Sequence, residues 1–505
     1  MTCYHFGMKI FQMAFFSADL EEMENVMVGR VEEKRQLQSL LREEESQFVA
    51  VFGRRRVGKT FLIRESFDYQ FTFQHTGIST NSLPMKTGKK AQLDEFAKSL
   101  VEAGLSPLKE LHSWFDAFDS LKELIMRSKD EKKIVFIDEL SWMDTRGSEL
   151  IAALEHFWNG WVTARKEKDV ILIVCASATY WMMENIVNSK GGLHNRLTGR
   201  IHLQPFTLAE CEEYLRSRKI VLNRHQIIQC YMILGGIPYY WSMLKKGKSL
   251  PQNVDDLFFK EGAPLRNEYD NLYRALFNKP DQYIKIIETL CRARQGITRE
   301  DICKKTGMTS SGDLTKKLKE LENCGFIRKY TPFGAENKNA LYQLVDNYTL
   351  FYHRFIQNSS HDENFWKSAS HSGEVNAWSG IAFERVCLEH IVQIKKALGI
   401  SGVQTNVNSW RCEADQEKGL QGSQIDLLIV RKDQIINVCE MKYSESEYVP
   451  DLAFDKAMRR RISDLQKATK TKYAIHSTLI TNYEVVDNPY TGNIQSIVSG
   501  EELFV

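Results

Sequence analysis

The chain has 505 residues, with 67 Lys+Arg against 65 Asp+Glu and a formal charge of +2. That length suggests about three domains, and 43% hydrophobic with 26% charged residues is an ordinary globular composition that excludes collagenous, mucin-like and largely disordered classes. A charge so near zero excludes a polycation that coats nucleic acid in bulk, so any nucleic-acid contact must come from a local basic patch.

Residues 1–26 read as an N-terminal extension. Lys9 and the apolar stretch 10–16 mimic a weak signal peptide, but the stretch is short, and a mobile extension or a working start at Met23 fits better. From Val28 to Leu203 short apolar runs (48–52, 134–137, 170–174, 201–203) alternate with amphipathic segments such as 92–100 and 121–126. Uncharged Val/Ile/Phe runs of this kind suit strands covered on both faces, and the alternation predicts a three-layer α/β domain with a mainly parallel sheet. After Pro205, Thr207-Leu208-Ala209-Glu210 is a capping box that opens a helix. The stretch 225–244 lacks Lys, Arg, Asp and Glu and is long enough to be checked as a membrane span. His225, Gln226, Gln229, Gly235, Gly236, Pro238 and Ser242 interrupt it, so it reads as a buried helix and a turn, with more helix to about residue 277. Residues 281–344 read as three short helices and two short strands, and from about 347 the chain is α/β again, with a strand pair at 425–430 and 435–443. The ten cysteines are scattered singly with no C-x-x-C, which argues against a zinc ribbon or redox motif and for reduced, buried thiols in a cytoplasmic protein.

Gly53-Arg54-Arg55-Arg56-Val57-Gly58-Lys59-Thr60 matches G-x-x-x-x-G-K-[ST], follows the strand 48–52 and opens a helix. Its glycines allow successive N–H groups to turn inward as a phosphate nest, and the helix N-terminus adds its positive end. Lys59 is placed to reach the β- and γ-phosphates of ATP and Thr60 to ligate Mg²⁺; the plainer alternative is a basic surface turn. The apolar run 134–137 ends in Asp138-Glu139, at the carboxyl edge where ligands bind an open α/β sheet. There Asp138 would hold Mg²⁺ through water and Glu139 would polarise the attacking water. Ser177, beyond the next strand, could sense the γ-phosphate or simply pack.

Val28-Gly29-Arg30-x-x-Glu33, the phosphate loop, Ile137-Asp138-Glu139, Ala176-Ser177 and Gly235-Gly236-Ile237-Pro238 resemble, in that order, the prokaryotic AAA+-like ATPases of the signal-transduction (STAND-type) group. In particular they resemble an archaeal and bacterial ATPase family that carries a C-terminal nuclease-like domain. The resemblance implies that Gly29 and Arg30 line the nucleotide pocket and that Pro238 belongs to a helical lid. It also implies that Arg196 or Arg200 touches the γ-phosphate, a surface salt bridge being the alternative. Where the family has Gly-Ser at the sensor, this chain has Ala176-Ser177.

The segment 297–302, which begins a short helix, the turn Thr306-Gly307-Met308, a helix over 313–323 and two strands near 326 and 342 resemble a winged helix-turn-helix. Residues 281–330 carry 11 Lys+Arg and 7 Asp+Glu, with Lys316, Lys317 and Lys319 on the helix that would enter a major groove and Arg328 and Lys329 near the wing; a protein-contact spacer is the other reading. Farther on, Asp426 at the start of one strand and Glu440 near the end of its antiparallel partner could meet at one end, with Lys442 on the same face as Glu440. This resembles the PD-(D/E)xK nuclease fold, in which Glu384 would be the acid of the first core helix.

The sequence therefore leads to an α/β fold. A P-loop parallel-sheet ATPase core (27–205) precedes a helical lid (206–277), a winged helix (278–345) and a restriction-endonuclease-like domain (346–505). ATP and Mg²⁺ are the expected cofactors, no membrane is involved, and DNA, a protein partner or a second copy are open as partners. The rival reading is a nucleotide-operated regulatory switch that binds protein or DNA and cuts nothing.

Overall fold

The structure, a computed structural model, describes residues 27–79, 88–106, 110–145, 147–277, 279–335, 339–357, 362–417 and 419–505. The extension expected over residues 1–26 lies outside them. The chain divides into two compact units, one of Gly29–Pro205 with Arg274–Asn278, the other of Phe206–Tyr273 with Lys279–Val505.

The first unit is built on five strands, β1 (Gln47–Phe52), β2 (Phe73–Thr76), β3 (Lys133–Asp138), β4 (Val170–Ala176) and β5 (Gly199–His202), in the order β2-β3-β4-β1-β5. Every neighbouring pair is parallel. Strands β1, β3 and β4 are buried at every position, as near-continuous apolar runs must be when helices cover both faces. The covering helices include α1 (Val31–Ser39), α2 (Lys59–Ser66), α3 (Gly88–Glu102) and α4 (Trp114–Arg127). Helix α4 starts at a capping box in which Ser113 and Asp116 satisfy each other's backbone N–H groups. Phe96, Trp114 and Phe118 from the helices interlock with Phe48, Phe73 and Phe157 in one core. Burying each such ring contributes roughly 1.5–3 kcal/mol. Strand β2 has no counterpart in the sequence reading: Phe73-Gln74-His75-Thr76 is short and polar at three of its four positions, and only Phe73 and His75 face inward.

The second unit begins with α5 (Leu208–Ser217) and α6 (Arg224–Leu234). The capping box read from the sequence is present, with Thr207 N–H donating to Glu210 at 2.8 Å. Both helices are bonded to the C-terminal part of the same unit. Leu208 N–H donates to His390 Nε2 at 3.0 Å, Gln229 donates to Tyr443 Oη at 2.9 Å, and Arg224 pairs with Glu501 at 2.6 Å. Next come α7 (Pro280–Cys291), α8 (Arg299–Thr306) and α9 (Gly312–Asn323) with a three-stranded antiparallel sheet of β6 (Ile297–Thr298), β7 (Ile327–Tyr330) and β8 (Leu341–Leu344). Ile297 and Thr298, expected at the start of a helix, form β6 instead; Thr298 then caps α8 with its hydroxyl. The last part of the chain sets α10 (Gly373–Glu389) and α11 (Leu452–Thr469) on a mixed sheet. Its strands are β9 (Thr405–Asp415), β10 (Leu420–Arg431), β11 (Ile435–Lys442), β12 (Ala474–Thr481) and β13 (Ser496–Val498), in that spatial order. The pairs β9–β10 and β10–β11 are antiparallel, while β11–β12 and β12–β13 are parallel.

Two basic residues expected to face DNA are engaged inside the fold. Lys317 is buried, paired with Asp313 at 2.5 Å and seated over the Tyr283 ring. Residues 316 and 319 share a helix face, whereas 317 lies about 100° away, toward the core. Arg328 donates to Gln343 at 2.7 Å, and burial lowers its guanidinium to about 10. Lys316, Lys319 and Lys329 are exposed. Beyond β7, Phe333 N–H donates to the Ser409 carbonyl at 2.8 Å and its ring packs on the core of the C-terminal sheet.

Candidate nucleotide site

The parallel register brings three strand ends to one edge. Phe52 of β1 lies opposite Ala176 of β4, and Ile137 of β3 opposite Val174, so Gly53 and Ser177 emerge level with each other and Asp138 ends β3 two positions short of them, at the same edge. Gly53 takes φ +151°, and a Cβ there would meet the Leu203 carbonyl oxygen at 2.3 Å. Only glycine fits so close an approach. Gly58, at φ +91°, opens α2, with no atom within 4 Å of where a Cβ would stand. The backbone there is open, as a phosphate cradle built from loop N–H groups requires. Lys59 is buried and its Nζ donates to the carbonyls of Gly53 and Arg54, both at 3.0 Å. Arg54 is buried, Val57 anchors the loop in the core at 1% exposure, and Arg56 adopts a left-handed φ of 70°. Arg55 Nη1 is buried and finds no hydrogen-bond partner among the described residues.

On the β3 side, Thr60 Oγ1 donates to Asp138 Oδ2 at 2.6 Å. Glu139 sits in the left-handed region, φ 49° and ψ 41°, a strained place for a non-glycine residue. Its Oε2 accepts the Ser177 hydroxyl at 2.8 Å and the Ser177 N–H at 3.2 Å. Burial pushes the Glu139 carboxyl up; Asp138 adds to this, while Lys59 and the Ser177 hydrogen bonds oppose it. Cys175, on the floor between β1 and β3, is pushed well up by burial and next by Asp138. A hydroxyl touching one carboxylate, a buried ammonium and a second carboxylate held by two donors make a donor set that fits Mg²⁺ and a polyphosphate.

Of the other expected residues, Gly29 (φ 64°) and Arg30 (φ 55°) form the entry to α1. Arg30 is buried, donates to the Gln204 carbonyl at 2.6 Å and lies 3.8 Å from Glu33. Arg196 is exposed in the turn before β5, and Arg200 is exposed on β5. Pro238 stands at the first position of a short helix, Pro238–Trp241, in the second unit. Sequence reading passed over Gln92. Fully buried, it accepts the Ile78 N–H and donates to the Ile78 and Trp142 carbonyls, tying the ends of β2 and β3 together. A lone polar residue on the apolar stripe of α3 was its signal.

In the C-terminal sheet, Leu427 pairs with Cys439, so Asp426 and Glu440 are the next residues outward at one end. Glu440 is held by Lys442 at 2.8 Å and Arg461 at 3.2 Å. Glu384, on α10, is ion-paired with Arg294. Burial and then nearby Asp426 push the Glu384 carboxyl up, against Arg294 and Arg385. Among the described residues no group of three or more His, Cys, Asp or Glu is gathered to hold a metal, and no helix is long and apolar enough to cross a membrane.

Residues 27–244 match the family model of an ATPase domain found predominantly in Archaea. Over 452 residues the chain is 25% identical to an uncharacterized protein of Methanocaldococcus jannaschii, covering 88% of this chain and 92% of that one. Among solved structures, it is similar to the Walker-type ATPase PABY2304 of Pyrococcus abyssi (17% identity, TM-score 0.44, 65% of this chain and 96% of that chain). It is also similar to the Aeropyrum pernix ORC2 protein (14% identity, TM-score 0.36, 69% and 98%). The domain match and the phosphate loop agree: this chain carries an ATPase domain, and its reaction is ATP hydrolysis.

Proposed function

We propose that the chain is a Mg²⁺-dependent ATPase of AAA+ type in the STAND-like branch, whose nucleotide state governs a DNA-associated second unit. The observation that carries the first half is the Thr60–Asp138 hydrogen bond, which sets the metal-binding hydroxyl and the strand-end carboxylate on one point. Lys59 and the loop N–H groups of residues 53–58 hold the β- and γ-phosphates, Thr60 and Asp138 hold the metal, and the Glu139 carboxylate orients the attacking water. Ser177 keeps Glu139 in place through its two hydrogen bonds. Gly29 and Arg30 border the base, Pro238 belongs to the lid, and Arg196 contributes a cation to the γ-phosphate. Bound Mg²⁺ would neutralise charge between the phosphates.

The three-helix module with its antiparallel sheet supports a winged helix, and the exposed Lys316, Lys319 and Lys329 support its use on DNA. The mixed sheet bearing Asp426, Glu440 and Lys442 beside Glu384 supports a nuclease-like C-terminal fold. One observation favours the switch reading over cleavage: Glu384 and Glu440 are each matched by cations of the chain itself. The test of the ATPase reading is nucleotide binding by Lys59→Ala. Mg·ATP affinity falls at least a hundredfold, because among the described residues none of the loop's arginines is held as a cation on the Gly53 and Arg54 carbonyls as Lys59 Nζ is; retained affinity would overturn the assignment.

A further inference from the structure

A cleft of about 530 Å³ opens within the second unit where the end of α7, β8, residues 350–357 and α10 come together. Sites for small ligands span about 300–1,000 Å³, so a mononucleotide fits and a bare phosphate would leave most of it empty. Arg292, Arg294, Arg354 and Arg385 line it, with Trp378 and Leu344 among its apolar walls. Four guanidinium groups and no lysine are a set suited to planar, two-pronged recognition of phosphate oxygens. The acids near them are few and partly used: Glu374 pairs with Arg354 at 2.8 Å, Glu384 pairs with Arg294, and Glu288 accepts from Gln357 at 3.1 Å. Among the described residues Arg292 makes no ion pair.

Arg385 is the inner member. It is 3% exposed, one Nη donates to the Arg294 carbonyl at 2.6 Å, and its Nε meets no acceptor among the described residues. A buried donor left without an acceptor is costly. On the Asp426 side of Arg385 the cavity is about 10 Å³, room for about one water, so an anion reaches this arginine from the cleft.

We propose that this cleft is a second ligand site, taking a phosphorylated nucleoside, either free or as the 5′-phosphate end of a nucleic-acid strand. The arginine rim holds the phosphate and the apolar walls hold the sugar and base. The proposal does not depend on whether the C-terminal sheet cuts nucleic acid.

The experiment uses the full chain with Lys59→Ala, and in parallel Lys59→Met, to silence the phosphate loop. The probes are AMP, which lacks the β-phosphate that loop needs, and a 5′-phosphorylated oligonucleotide beside its unphosphorylated twin. Calorimetry or anisotropy should show saturable binding that weakens at least tenfold in Arg292→Glu and in Arg354→Gln. Both residues are exposed, and with Lys59 left intact the same two substitutions should hydrolyse ATP at the wild-type rate. Binding of AMP alone identifies a free nucleotide, and preference for the phosphorylated strand over its twin identifies a strand end. No binding of either probe at millimolar concentration, or binding indifferent to both arginine substitutions, overturns the proposal.

Discussion

His390 offers a quantitative test of how the second unit holds α5. Its ring is 1% exposed; Nδ1 lies 2.8 Å from the Val386 carbonyl and Nε2 accepts the Leu208 N–H at 3.0 Å. That pattern requires a neutral imidazole with its proton on Nδ1, and burial lowers the ring from 6.5 to about 4. Above pH 6.5 the ring is neutral in both the closed and opened states, and the contact keeps its full strength. Between pH 6.5 and about 4 only the opened state takes up a proton, so stability is lost as pH falls. Each unit of separation is worth about 1.4 kcal/mol, so the loss is about 2 kcal/mol at pH 5 and roughly 3 kcal/mol at pH 4. His390→Gln supplies an acceptor for Leu208 that does not titrate. Hydrogen exchange of the segment 206–217, corrected for intrinsic rate, should show the opening free energy of wild type falling toward that of the glutamine variant between pH 7 and 4.5. Parallel pH dependences in the two proteins would refute the assignment of the acid-labile contact to His390.

Two other substitutions bear on the loop and on the helical module. Gly53→Ala forces a side chain to within 2.3 Å of the Leu203 carbonyl oxygen at a φ of +151°. It should cost about 1–3 kcal/mol and weaken nucleotide affinity, read by thermal melting with and without Mg·ATP. Lys316→Glu with Lys319→Glu should leave melting unchanged while lowering the slope of log affinity for DNA against log salt by about two. Lys317→Glu, at a buried position over Tyr283, should instead destabilise the module.

The phosphate loop was legible because its chemistry is local: two glycines, a lysine and a threonine at fixed spacing between an apolar strand and a helix. Strands β1, β3 and β4 were legible because burial on both faces writes an unbroken apolar run. The parts that escaped are those set by partners distant in sequence. Strand β9 is exposed or half-buried at every position but Trp410, so its polar sequence carries no strand signal until β10 pairs with it. β2 is short, with only two residues facing the core. Gln92, Cys175 and the Ser177–Glu139 hydrogen bonds depend on where strands β3 and β4 lie in the sheet, which spacing along the chain does not encode. Lys317 and Arg328 looked like surface charge by composition, and only packing against Tyr283 and Gln343 reveals their buried roles. The acids Asp426, Glu440 and Glu384 were visible as types, but the cations matched to Glu440 and Glu384, Arg461 and Arg294, lie on α11 and after α7.

In the proposed mechanism the Glu139 carboxylate, held by Ser177 beside the Thr60–Asp138 pair, orients the water that attacks ATP. Glu139→Gln keeps the side chain's size and an oxygen to accept from Ser177, and removes the negative charge and with it the ability to take a proton. Equilibrium binding of Mg·ATP and single-turnover hydrolysis, measured on the same preparation, test it most directly. Glu139→Gln should bind with wild-type affinity and turn over about a hundredfold or more slowly; turnover within a few-fold of wild type would contradict this role for Glu139.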